Sequence, residues 1–86
     1  MEDHVILGVH VFDRVKKVPS VQSLLTEYGC SIKTRIGLHH VDENKCSPEG
    51  LILLEMFGDP AAFDELAAKL SALGGVEVQK MVFGHP

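Results

Sequence analysis

The stretch from Gly50 to Phe83, GLILLEMFGDPAAFDELAAKLSALGGVEVQKMVF, decides the fold. Its first eight residues set Ile52, Leu54 and Met56 against Leu51, Leu53, Glu55 and Phe57, a period of two with apolar residues on both sides. A strand that is apolar on both faces belongs near the centre of a sheet. Asp59-Pro60 then supplies a helix N-cap and a proline at the first helical position. Phe63, Leu66, Ala67, Leu70 and Leu73 keep helical spacing until Gly74-Gly75 stops the helix. Val76 to Phe83 returns to alternation and closes the chain as a strand.

Working outward from this strand-helix-strand unit, His4 to Phe12 (HVILGVHVF) alternates Val5, Leu7, Val9 and Val11 with Ile6, Gly8, His10 and Phe12. This is a second strand apolar on both faces. Asp13 is placed to cap a helix whose stripe is Val21, Leu24, Leu25 and Tyr28, ending at Gly29, with Pro19 expected in its first turn. Ser31 to His39 sets Ile32, Ile36 and Leu38 against Lys33, Arg35 and His39, the pattern of a half-exposed edge strand. Asp42 to Gly50 (DENKCSPEG) is rich in turn formers and reads as a loop. The order is therefore β-α-β-β-α-β, an α+β, ferredoxin-like arrangement: a four-stranded antiparallel sheet with both helices on one face. The first and third strands are expected at its centre. The face away from the helices should then expose some of Ile6, Phe12, Leu51, Leu53 and Phe57, which predicts that sheets stack between subunits as a dimer or tetramer.

Eighty-six residues make one domain, spanning 1–86, and at this size burial within one chain is marginal, which again favours a homo-oligomer. Eight Lys+Arg against twelve Asp+Glu give a formal charge of -4, so the basic stripe that direct nucleic-acid binding needs is not expected. The acidic start Met1-Glu2-Asp3 and the absence of a long apolar run predict neither a signal peptide nor a membrane span, and hence a cytoplasmic protein. Cys30 and Cys46 form no CxxC pair and are read as reduced thiols.

His39, His40 and Cys46 are the candidate metal ligands, because imidazole and thiolate both bind transition metals such as nickel or zinc. Alternation places the two histidines on opposite faces, so a complete site needs ligands across a subunit interface, with His10 or His4 as candidates. The alternative is a solvent-facing histidine pair and an unrelated turn cysteine. His4 and His10 share a face with Ile6 and Phe12, as interface histidines or as polar filler. Arg35 beside Gly37 offers a planar fork for a carboxylate or phosphate, or a salt bridge to Glu55 across the sheet. Gly8 and Gly37 are read as bulges or points of close sheet-on-sheet approach. With these residues, His10, Arg35, Gly37, Leu51 and Leu53 form the candidate ligand or interface set.

Enzymatic signatures are missing from the sequence. It carries no GxGxxG, P-loop or GxSxG, no stacking aromatics of an RNA-recognition sheet and no copper-chaperone CxxC. The segment after the first strand, Asp13-Arg14-Val15-Lys16-Lys17, replaces the phosphate-cradling loop of an acylphosphatase. A non-catalytic role is expected.

Asp13-Arg14, Leu24-Leu25, Arg35-Ile36-Gly37-Leu38 and the run from Lys69 to Lys80 (KLSALGGVEVQK) together resemble the family of small iron-only hydrogenase system regulators. That family is similar to a stand-alone ACT-like domain and to the carboxy-terminal metal-sensing domain of the nickel-responsive repressor. The resemblance implies an oligomer built through sheets, and a His-x-His-x5-Cys ligand pattern onto which His40 and Cys46 fall. Leu38 stands where the pattern has its first histidine, and the repressor's DNA-binding domain has no counterpart in these residues. The implied function is a ligand-sensing or metal-sensing regulatory oligomer acting through another protein. The alternative is a structural or interaction module that binds a protein partner through its apolar sheet face.

Overall fold

Val5, Leu7, Val9 and Val11 are all buried in the computed structural model, as one side of the first strand's alternation demands. The structure describes residues 3–12, 14–41 and 46–84, and within these the side chains other than those of 14–18, 38–41 and 46–49. The elements run β1 (His4–Val11), α1 (Arg14–Glu27), a 3-10 turn (Gly29–Ser31), β2 (Ile32–Val41), β3 (Cys46–Met56), α2 (Pro60–Ser71) and β4 (Val76–Phe83). The strands form one antiparallel sheet in the order β2-β3-β1-β4, so β1 and β3 are central. This is the ferredoxin-like βαββαβ arrangement.

Both helices cover one face. From α1, Val21 and Leu25 are buried, with Leu24 and Tyr28 packed at the margin; from α2, Phe63, Leu66 and Leu70 complete the core over Leu7, Val9 and Leu54. The Asp59 side chain accepts a hydrogen bond from Ala61 N at 3.0 Å, and Pro60 opens α2. α2 stops at Ser71 with Ala72 as its C-cap, short of the expected stop, so Leu73 lies past the helix; Gly74 and Gly75, at φ 71° and 68°, a backbone that side-chain-bearing residues rarely adopt, carry the turn into β4. Across the helix pair, Lys69 Nζ donates to Glu27 Oε2 at 3.3 Å and lies 5.1 Å from the centroid of the Tyr28 ring. The hydrogen bonds to Tyr28 and Glu27 hold the Lys69 ammonium above its ordinary pKa.

Three more local expectations change. Pro19 lies in the second turn of α1, because the helix starts at Arg14 almost directly after β1; the ring removes one ladder hydrogen bond and the helix continues. Asp13, the expected cap, lies outside the described residues. The segment read as a loop is shorter, since Val41 pairs with Cys46 and the backbone from Cys46 to Gly50 belongs to β3. Between the pairs His39↔Gly50 and Val41↔Cys46 the register slips, and Pro48 falls inside that irregularity, where a missing ladder donor is tolerated.

The third change is in β2. Ile32 pairs with Met56 but Thr34 pairs with Glu55, so Lys33 and Thr34 together oppose one residue in a one-residue β-bulge. Thr34 Oγ1 donates to Glu55 Oε1 at 3.0 Å, and Lys33 Nζ stands 3.9 Å from Glu55 Oε2. The bulge reverses the alternation: Ile32 packs against the core while Ile36, paired with Leu53, faces the other side and is half exposed. Ile32 and Ile36 thus do not share a face.

Candidate functional site

The face without helices carries a broad apolar surface. Phe12, Ile36, Leu51, Phe57, Met81 and Phe83 are 37% to 56% exposed on it, around the partly buried Ile6 and Leu53. Large apolar side chains gathered on one face mark an interaction surface, whereas single ones scattered over a protein do not.

In the middle of this face is a recess of about 340 Å³, lined by Gly8, His10, Leu51, Glu77 and Gln79. It exists because Gly8 contributes no side chain between Leu53 and Gln79, its neighbours in register on β3 and β4. A Cβ at Gly8 would meet Leu53 Cδ2 at 3.8 Å and the Gln79 carbonyl oxygen at 3.9 Å, ordinary contact distances. His10 stands opposite Leu51 on one side and Glu77 on the other. Its ring meets Phe12 edge-on, 4.5 Å between centroids at 61°. An imidazole, an amide and a carboxylate beside Leu51 can orient the polar head of a small ligand, and none of them is a nucleophile set beside a base.

Of the candidates read from sequence, His10, Leu51 and Leu53 come together here. Arg35 and Gly37 do not. They pair with Leu54 and Ile52 on edge strand β2, in register with residues of the helix-covered side. The expected Arg35–Glu55 bridge does not form, because the bulge turns Arg35 away and Glu55 instead accepts a hydrogen bond from Thr34 and pairs with the Lys33 ammonium. Gly8 and Gly37 sit in regular pairing, so neither is a bulge. Glu77 and Gln79 were missed as site residues, although the alternation of VEVQKMVF already sets them on one side with Met81 and Phe83.

The backbones of His39, His40 and Cys46 meet at the β2–β3 hairpin end; their side chains lie outside the described ones. Among the described residues no group of three His, Cys, Asp or Glu could hold a metal. His10 sits two strands from β2, roughly 10 Å, and His4 is six residues further along β1, roughly 20 Å from His10. Within one chain His4 and the hairpin cannot share an ion.

Comparison with known proteins follows the same lines. The backbone superposes on an uncharacterized protein from Thermotoga maritima with a TM-score of 0.79 at 26% identity, covering 96% of this chain and all of the other. The fold is one already seen in nature. A nitrogen regulatory PII-like protein from Thiomonas intermedia K12, bound to ADP, AMP and bicarbonate, gives a TM-score of 0.60 at 12% identity over 96% of this chain and 97% of that one. A formyltetrahydrofolate deformylase from Pseudomonas syringae pv. tomato contains a similar unit, with a TM-score of 0.58 at 17% identity over 95% of this chain and 28% of the enzyme. The likeness to these two is one of fold alone, the ferredoxin-like βαββαβ arrangement. No family model and no curated protein matches the sequence. Among the described residues no helix is long and apolar enough to cross a membrane.

Proposed function

We propose that this chain is a non-catalytic, cytoplasmic regulatory module that senses a small ligand and assembles with copies of itself through its open sheet face. The observation that carries the reading is the apolar face with the Gly8 recess at its middle, a surface that can bury both a ligand and a partner subunit. The use of the same fold by a PII-like regulator that binds small ligands supports it. The charge balance, twelve acidic against eight basic residues, argues that any action on nucleic acid passes through a partner. The resemblance of Arg35-Ile36-Gly37-Leu38 and of the run from Lys69 to Lys80 to iron-only hydrogenase system regulators is the ground for proposing that system as the regulated one. A nickel or zinc ion held by His39, His40 and Cys46 across a subunit interface is the metal-sensing form of the same proposal.

A second reading is favoured by the aromatic and methionine content of the face, with Phe12, Phe57, Met81 and Phe83 all exposed: a module that docks a protein partner there. One experiment separates these. Sedimentation velocity of the untagged protein at micromolar concentration, with elemental analysis before and after nickel or zinc loading, should show a dimer or tetramer whose metal is lost in Cys46→Ala. A clean monomer would overturn self-assembly and favour the partner-docking reading. An oligomer without metal would sink the metal-sensing form alone.

A further inference from the structure

We propose that the Gly8 recess takes the cationic head of a small organic amine with an apolar body, and that this amine strengthens the association of the sheet faces by neutralising Glu77. The inference rests on the ligand-sensing, self-assembling reading above and adds to it the charge of the ligand and the way that charge couples to assembly.

Two carboxylates stand on the open face among the described side chains, Glu55 in register with Ile6 and Glu77 in register with His10. Glu55 is answered where it stands, by Thr34 Oγ1 at 3.0 Å and Lys33 Nζ at 3.9 Å. Glu77 is not: among the described residues no ammonium or guanidinium pairs with it. Lys80, on the same strand, gives its Nζ to Asp64 of α2 at 2.9 Å, on the helix-covered side. While the face is open, water solvates the Glu77 carboxylate. A second sheet laid over the face removes that water, and a charge buried without a partner opposes the contact. Leu51, Met81 and Phe83 therefore favour the stack while Glu77 resists it, and a ligand that cancels the charge favours assembly.

The recess fits such a ligand. At about 340 Å³ it lies within the range of roughly 300–1,000 Å³ typical of small-molecule sites, larger than a bare ion needs. Its described lining holds one carboxylate and no lysine or arginine. An ammonium has three donors; Glu77 can accept one, and the amide oxygen of Gln79, opposite Gly8, a second. Phe12 N bonds the Gly75 carbonyl at 2.8 Å, which sets the Phe12 ring diagonal to Glu77 across the strands and adds an aromatic surface of the kind that attracts a cation. Leu51, across from His10, offers the apolar body a wall. A larger hollow of about 450 Å³, beside Val82 and the start of α2, makes no such selection, since its lysine, Lys80, is already bonded to Asp64 and Asp3 stands at its edge.

The test is sedimentation velocity of the full chain over a concentration series, with and without saturating 2-phenylethylamine, beside an NMR titration of the dilute protein with the same amine. 2-Phenylethanol and 3-phenylpropionate are the neutral and anionic counterparts of similar shape. The amine should shift the resonances of Gly8, Leu51 and Glu77 and tighten self-association about tenfold, an ordinary coupling between two sites, while the counterparts do neither. Glu77→Gln, at an exposed position, should keep the fold, associate more tightly than the wild type without amine, and bind the amine about tenfold more weakly, the scale of a charge-assisted hydrogen bond. Self-association that ignores the amine would overturn the proposal and leave the assembly reading standing. Equal effects from 2-phenylethanol, weaker association of Glu77→Gln, or tighter binding of zinc chloride than of the amine at the same resonances would also overturn it. A monomer under every condition would overturn both.

Discussion

Replacing Gly8 by alanine should make the isolated subunit more stable and its assembly weaker. Gly8 occupies a central strand in regular pairing, with a backbone that any residue can adopt. A methyl group there would rest at 3.8 Å from Leu53 Cδ2 and 3.9 Å from the Gln79 carbonyl, in contact and without overlap. Nothing in the subunit resists the substitution, so the entropy that glycine loses on folding is recovered, about 0.5–1 kcal/mol. For a domain of this size that is a rise in Tm of about 2–8 °C. The same methyl narrows the recess at the middle of the open face, where a ligand or a second sheet would seat. Urea unfolding followed by circular dichroism, run at low and at high protein concentration, separates the two effects. At low concentration Gly8→Ala should have the higher midpoint with an unchanged m-value; at high concentration the advantage should shrink as the wild type gains from association. A loss of stability in the dilute protein, or a gain that ignores concentration, would refute the reasoning.

Leu53→Glu sets a carboxylate at the centre of the same face, where burial against a second subunit costs several kcal/mol roughly, so sedimentation should move to monomer while the fold survives. Persistence of the oligomer would mean that the sheet faces do not meet. Asp59→Ala removes the cap on Ala61 N and should cost about 1 kcal/mol of folding stability by urea titration; no change would show that the α2 start is held by its packing. Lys69 has its folded pKa raised by the bonds to Tyr28 and Glu27, so its stabilising effect is complete below the ordinary lysine value of 10.5 and is lost as pH rises through the folded value. The difference in Tm between the wild type and Lys69→Met should accordingly close in strongly alkaline buffer, and a gap of constant size would remove the ion's role.

The element order and the central position of β1 and β3 were legible because both strands are apolar on two faces and α2 is capped at one end by Asp59 and followed at the other by the Gly74-Gly75 turn. The open face followed from the same alternation. What escaped was local irregularity. Reading β2 at a strict period of two puts Ile32 with Ile36, whereas the pull of Ile32 into the core and the bond from Phe57 N to the Ser31 carbonyl at 2.7 Å fix a register that only a bulge can reconcile. One extra residue then moved Arg35 to the side away from Glu55. The candidate set split for that reason, with His10 and the two leucines on one face and Arg35 with Gly37 on the edge strand. The hollow beside Val82 had no signature at all, because it depends on where α2 begins relative to the end of β4 and not on any one residue type.

The irregularities of β2 also govern how copies can meet sideways. Slipped register at Ile32/Thr34 and again at His39/Val41 interrupts the row of backbone donors and acceptors along that border of the sheet, which blunts it toward a neighbouring strand. β4 has no such interruption over its eight residues. If copies were to pair edge to edge, a sheet with one uninterrupted and one interrupted border would join through β4 and stop at a pair in place of an open-ended fibre.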